Sequence, residues 1–389
     1  MNPFVYYVLA AVLFVLGLAA LGGAAFGRQL NRRYVLTLVG MGLWAATLLA
    51  YMQAAGRAAV LQPDIATPAP VAATVPAEVL ATVAPPMAEM TATLPISNTQ
   101  LPALGGRVVF HSDRSGELDI FAMNLDGSDL QQLTDAPGRD FEPIWSPDGQ
   151  QVVFSSDRDD PDNAYLYIMN ADGSDQRRLE TSMTSDQIGV RWSSDGEWIL
   201  FHSNPLVNGS PRFDIFKIHP DGSGLVNLTD APGNNFMGDW SPDGKRIVFV
   251  SQRDGNRQLY VMNADGSNQV RITEGSWENS LPRWSPDGQY IVFESNRSST
   301  TFSLFTIQPP AEGATGANAS METTVRSLTH PGFNNSTPTW INDDWMIISS
   351  DMNSTNIPNW ELYLLKSDVS EIYRLTDSAG MDRFPDWKP

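Results

Sequence analysis

WSPDG occupies residues 145–149, returns at 240–244 and 284–288, and stands as WSSDG at 192–196. The tryptophans that open these stretches are Trp145, Trp192, Trp240 and Trp284, and two weaker members follow, Trp340 in WINDD and Trp387 in WKP. Successive spacings are 47, 48, 44, 56 and 47 residues. A fixed motif at such a period is the mark of a repeat architecture, in which each unit buries its apolar face against its neighbours. The long interval holds PPAEGATGANASMETT at 309–324, small and polar, which reads as a surface loop added to one repeat.

Each repeat continues in the same order. A β-rich run follows the WSPDG turn (QQVVFSS, EWILFHS, KRIVFVS, QYIVFES, DWMIISS), then a second run (AYLYIMN, FDIFKIH, RQLYVMN, FSLFTIQ, WELYLLK), then a short one ending near Leu-Thr. Asp-Gly turns such as NADGS separate the runs. Short strands rich in Val, Ile, Phe and Tyr between such turns read as antiparallel hairpins. With the segment that carries the tryptophan, each repeat has four strands, which is one blade of a β-propeller. The first run, RVVFHS at 107–112, lacks a WSPDG before it, and FPDWKP at the C-terminus lacks strands after it. The C-terminal strand is therefore expected to complete the blade begun at Arg107, closing a ring of six blades and removing the open sheet edges.

Pro-Asp-Gly is a turn sequence, since proline presets φ and glycine accepts positive φ. The six tryptophans are expected to be structural anchors packed between neighbouring blades, where an aromatic ring buries a large area.

The string W-S-P-D-G, a strand, L-Y-x-M-N-A-D-G-S and R-L-T resembles the propeller repeat of TolB-like proteins. The resemblance covers about 105–389 and departs in the fifth repeat, where WINDD replaces WSPDG. Nothing before residue 105 resembles the amino-terminal α/β domain of TolB, so the resemblance implies the fold and not TolB's partners. Similar propellers act as binding proteins, as accessory domains of serine peptidases and in some polysaccharide lyases.

The front of the chain differs. Residues 4–26 and 34–55 carry no charge, and each is long enough to cross a bilayer core. The loop between them, GRQLNRR, holds Arg28, Arg32 and Arg33, which the positive-inside rule places in the cytoplasm. A transmembrane hairpin over 1–61 would anchor the chain in a bacterial cytoplasmic membrane with the propeller on the extracytoplasmic side. Cleavage after the second span is the rival reading. Residues 62–104 contain eight prolines, three acidic residues and no Lys or Arg, a composition expected to form a disordered spacer.

The chain has 25 basic and 44 acidic residues. Residues 105–389 carry 21 basic and 41 acidic of these, a net charge of about −20, which argues against nucleic acid or anionic lipid as the propeller's partner. The absence of cysteine excludes thiol chemistry and disulfide staples. No G-x-S-x-G, G-x-x-x-x-G-K-[ST] or H-E-x-x-H is present. His111 and His202 share one register in VVFHS and ILFHS, and the four histidines are too few for a lyase-like metal centre. Asp157, Asp159, Asp160 and Asp162 in SDRDDPDNAY alternate as calcium ligands do but lack the bending glycine, so a solvated hairpin loop is expected. No metal or cofactor is predicted.

In TolB-like repeats the segment before the tryptophan is the innermost strand, so its residues border the channel. Five positions before each tryptophan stand Asp140, Gln187, Asn235, Asn279, Asn335 and Asp382, all carboxylate or amide. One position before stand Ile144, Arg191, Asp239, Arg283, Thr339 and Asp386, which vary. The uniform position suits rim hydrogen bonds, and the variable one suits recognition, because repeats hold the frame while single blades differ at the ligand. Arg191, Asp239, Arg283 and Asp386, with Asp140 and Asp382, are the candidate binding residues; pairing among themselves is the competing expectation. The function expected is a non-catalytic binding or scaffold propeller for an envelope protein, peptide or glycan. An extracytoplasmic hydrolase or lyase acting at the channel mouth is the alternative.

Overall fold

The structure, a computed structural model, describes residues 101–207, 209–314, 321–329, 333–352 and 359–389. The two expected membrane spans, their arginine loop and nearly all of the spacer lie outside the described residues. Among the described residues no helix is long and apolar enough to cross a membrane.

Six four-stranded antiparallel sheets form the ring. Blade 2 is representative: Asp140–Trp145, Gln151–Ser156, Tyr165–Asn170 and Arg177–Arg178, from inside to outside. The innermost strands of blades 3 to 6 are Gln187–Trp192, Asn235–Trp240, Asn279–Trp284 and Asn335–Trp340. Blade 1 takes its innermost strand from the other end of the chain. Asp382–Lys388 pairs antiparallel with Arg107–Ser112, with Lys388 opposite Arg107 and Asp382 opposite Ser112. The ring is latched by its two ends, as the motif count requires.

Alternation along the strands sends side chains into the spaces between blades, and six apolar clusters fill those spaces. Between blades 1 and 2, Val109, Ile120 and Ala122 meet Trp145, Val152 and Phe154. Trp240 and Trp284 fill the same place one and two interfaces further on from blade 3, while Trp192, Trp340 and Trp387 pack at the margins of theirs. Burying one such side chain contributes roughly 1.5–3 kcal/mol.

The WSPDG turn has its own bonds. Ser146 Oγ donates to Asp148 Oδ1 (2.6 Å) and accepts the Gln151 N–H (2.9 Å), while Gly149, at φ 65°, donates to Ser146 O (2.8 Å). Ser241 and Asp243 repeat the arrangement. In WINDD, Ile341 stands at the serine position and Asn342 at the proline position, and Asn342 Oδ1 accepts the N–H groups of Asp344 and Trp345 (2.9 and 3.0 Å).

Every innermost strand carries a bulge at one place. The third residue before each tryptophan has positive φ: Glu142 (55°), Gly189 (70°), Met237 (56°), Leu281 (47°), Thr337 (48°) and Phe384 (52°). Strand pairing shifts register there in all six blades. Such a bulge bends a strand and re-aims its side chains. Five of the six residues are not glycine, so tertiary packing imposes this conformation against local preference.

Candidate functional site

The bulges and the positions just after them bring charged groups to the ring axis. At the position before each tryptophan, most residues reach toward the next blade. Asp386 Oδ2 in blade 1 accepts the Trp145 N–H of blade 2 (2.8 Å), and Asp239 Oδ2 in blade 4 accepts the Trp284 N–H of blade 5 (2.8 Å). Thr339 Oγ1 donates to Pro385 O (2.6 Å). Arg191 in blade 3 lies 3.7 Å from Asp239 Oδ1 and donates to its own neighbour, Val190 O (2.5 Å). Arg283 donates to Pro282 O (2.7 Å) and forms no ion pair among the described residues. The two guanidinium residues are only 8% and 7% exposed.

The residues five before the tryptophan lie elsewhere. Asp140, Gln187, Asn235, Asn279, Asn335 and Asp382 are all at most 2% exposed. Asp140 Oδ2 accepts from Arg158 and Asp382 Oδ2 from Arg114, both at 2.6 Å. Asn235 and Asn279 accept from Arg253 (3.0 Å) and Arg297 (2.9 Å) in the same way. These arginines belong to a recurrent Ser-x-Arg at the end of the second strand: HSDR, SSDR, VSQR and ESNR. Each also bonds its serine through Nε and lies over aromatic rings, as Arg158 does over Tyr167 at 4.7 Å. The motif recurs at the period of the tryptophans and is a second repeat signal in the sequence. Blades 3 and 6 lack the arginine, and there Gln187 Oε1 and Asn335 Oδ1 have no hydrogen-bond partner among the described residues. A ligand would reach Asp140 or Asp382 only if Arg158 or Arg114 moved aside.

A third tier joins the axis. His111 and His202 each accept a backbone N–H from the bulge of the next blade, Glu142 N (3.1 Å) and Met237 N (3.4 Å). Burial, aided by Arg383 and Arg191 respectively, lowers both imidazoles to about 3, so they stand neutral as acceptors. His202 explains the glycine of blade 3: a Cβ on Gly189 would come 2.3 Å from its ring. Glu142 Oε2 accepts the Gly189 N–H (2.7 Å), and Glu294 accepts from Ser280 (2.7 Å). Burial pushes both glutamates upward. Burial likewise raises Asp239 to about 7 and Asp386 to about 6, against the attraction of Arg191. Glu142, Glu294 and Arg383 were not recognised as axial from the sequence, because only the bulge turns the neighbouring positions together.

One pocket lies on this axis. Glu142, Gly189, Arg191, His202, Met237, Leu281, Arg283 and Phe384 are among its walls, and its empty space, open mouth included, is about 270 Å³. Most of that space is open to solvent, and the enclosed part falls well short of the 300–1,000 Å³ of small-molecule sites. The acidic loop at 156–165 is turned to protein donors instead: Asp157 binds Arg139 (2.7 Å), Asp159 accepts from Tyr167, and Asp160 accepts from Asn163 (3.0 Å). Among the described residues no group of three or more His, Asp or Glu could hold a metal ion.

A model of the TolB beta propeller domain matches residues 98–231 and 221–357, more than half of the chain. The chain belongs to the TolB β-propeller family. A TolB homolog of Chlorobium luteolum is 37% identical over 211 residues, 54% of this chain and 46% of that relative. The chain thus spans less than half the length of this curated relative. Among solved structures, TolB of Acinetobacter baumannii aligns with a TM-score of 0.60 at 19% identity, over 73% of this chain and 67% of that one. Hydrazine synthase of Kuenenia stuttgartiensis aligns with 0.59 at 15%, over 74% and 47%. Similarity at these identities shows the fold alone, and the second case shows that a TolB-type propeller also occurs within an enzyme.

Proposed function

We propose that this chain is a membrane-anchored, extracytoplasmic binding propeller that does no chemistry of its own and recognises an envelope protein or peptide at the ring axis. The observation that carries the reading is the contrast along the innermost strands. Turns and tryptophans recur around the ring and Ser-x-Arg struts recur in four blades, while the position before the tryptophan changes between neighbouring blades (Ile144, Arg191, Asp239, Arg283, Thr339, Asp386) and includes a buried arginine without a carboxylate among the described residues. A repeat frame that varies where its strands converge has the character of a recognition surface. The uncharged stretches at 4–26 and 34–55 with arginines between them support the anchor and its orientation.

The experiment is site-resolved. A photoreactive diazirine residue is placed at half-buried Met237 on the axis, or at exposed Leu206 on the small hairpin Leu206–Val207 with Ser210–Pro211. The full chain is irradiated in envelope preparations. A discrete adduct from position 237 and none from 206 supports axial recognition. Adducts from 206 alone would move the partner to the outer loops.

A further inference from the structure

Arg283 is 7% exposed, lines the axial pocket and, among the described residues, donates only to the carbonyl of Pro282. Its counterparts at the same register bond to the next blade: Asp386 and Asp239 to tryptophan N–H groups, Thr339 to a carbonyl. Arg191, on the same pocket, has a distant ion pair with Asp239 at 3.7 Å, and its buried Nε has no hydrogen-bond acceptor among the described residues. A guanidinium nitrogen withdrawn from water without an acceptor is costly, and an incoming anion recovers that cost at Arg191, while no nitrogen of Arg283 is a buried orphan.

We propose that the pocket is a carboxylate subsite that takes the acidic side chain of a peptide, with Arg283 as its principal charge and Arg191 beside it. This rests on the reading of the axis as the recognition surface and names what that surface holds. The fork of an arginine matches a carboxylate in two parallel hydrogen bonds. The remaining walls suit a methylene stem: Met237, Leu281 and Phe384 are apolar. The two other polar groups are already engaged, Glu142 Oε2 by the Gly189 N–H and His202 Nδ1 by the Met237 N–H. A sugar ring would set several hydroxyls against the apolar walls Met237, Leu281 and Phe384, so the peptide carboxylate is favoured over a uronic acid. Glu142 opposes an anion, yet the walls still carry two arginines against one glutamate, in a ring whose net charge is about −20. Local positive charge inside a negative exterior selects for a carboxylate that desolvates fully at one point.

The test is ligand-observed saturation-transfer NMR with the detergent-solubilised full chain. The probes are the pentapeptide Ac-Gly-Ala-Glu-Ala-Gly-amide, its Gln isostere, and glucuronate. The Glu peptide is expected to bind at least tenfold more tightly than the Gln peptide to the unaltered chain. Arg283→Met should remove that difference and Arg283→Lys should keep part of it. Because the isostere comparison uses the unaltered chain, a misfolded variant does not decide the result. Equal binding of the Glu and Gln peptides overturns the carboxylate subsite, and so does absence of binding by both. Glucuronate binding as tightly as the Glu peptide overturns the peptide assignment. In each of these cases a light-induced adduct from position 237 would still uphold axial recognition, so the two failures are separable.

Discussion

At the scale of single residues, burial decides which charges tolerate change. Asp140 is wholly buried and its partner in the same blade is Arg158 at 2.6 Å. Arg253 plays the same part for a neutral amide, Asn235, at 3.0 Å. Removing one member of a buried ion pair costs about 3–5 kcal/mol, because the other charge is stranded, whereas stranding an amide costs about 1–3. Arg158→Leu should therefore lower the melting temperature clearly more than Arg253→Leu; equal losses would mean that Asp140 is not held as a charge. Asp239 gives a pH prediction. Its folded-state value, raised by burial to about 7, lies above the unfolded 3.8. The stability tied to its neutral form is fully present below about 3.8 and is lost as the pH rises through 7. Asp239→Asn keeps an acceptor for the Trp284 N–H without the charge. Thermal denaturation should show the variant gaining on the unaltered protein between pH 5 and pH 8, by on the order of 2 kcal/mol. A difference independent of pH would show that Asp239 is not desolvated in the fold.

At the scale of strands and blades, the closing strand is the exposed point of the design. Within Asp382–Lys388, Asp386 holds the Trp145 N–H, Phe384 lies 5.1 Å from the His111 ring and Trp387 Nε1 donates to Gly105 O (3.2 Å). Deleting residues 383–389 should cost several kcal/mol, since it removes most of the innermost strand of blade 1 together with the half-buried Phe384 and Trp387; an unchanged melting temperature would refute the latch. Much of this level was legible in the sequence, because turn chemistry and strand alternation are local. WSPDG specifies a turn whatever surrounds it, and the missing first turn and missing last strands show how the ring joins. The bulges were not legible. Leu281, Thr337 and Phe384 are poor residues for positive φ, and they adopt it because inner strands packed around an axis must bend. Nor could spacing show that Arg191 and Asp239 lie 3.7 Å apart while Arg283 forms no ion pair among the described residues. Those facts belong to contacts between blades some 45 residues apart, and side-chain reach decides them. The Ser-x-Arg struts were legible in principle, as a second motif of the same period.

At the scale of the whole molecule, a ring with a net charge of about −20 follows a front whose two apolar stretches are uncharged and flanked by arginines. The proposed orientation predicts that protease added to intact spheroplasts cuts within 62–104 and releases the propeller. Protection until lysis would reverse the topology. If the axis recognises a partner, stability and capture separate when its arginines are changed. Arg191→Ala, Arg283→Ala and, as an outer control, Leu206→Ala are made in the full chain. Melting temperature is recorded for each, together with recovery of the partner that crosslinks from position 237. The account predicts that Arg283→Ala loses at least tenfold in capture with little change in melting temperature, that Arg191→Ala loses capture with some loss of stability through Asp239, and that Leu206→Ala changes neither. If Arg191→Ala and Arg283→Ala lower the melting temperature by several degrees while capturing the partner normally, the two arginines are struts and the axis is not the site of recognition.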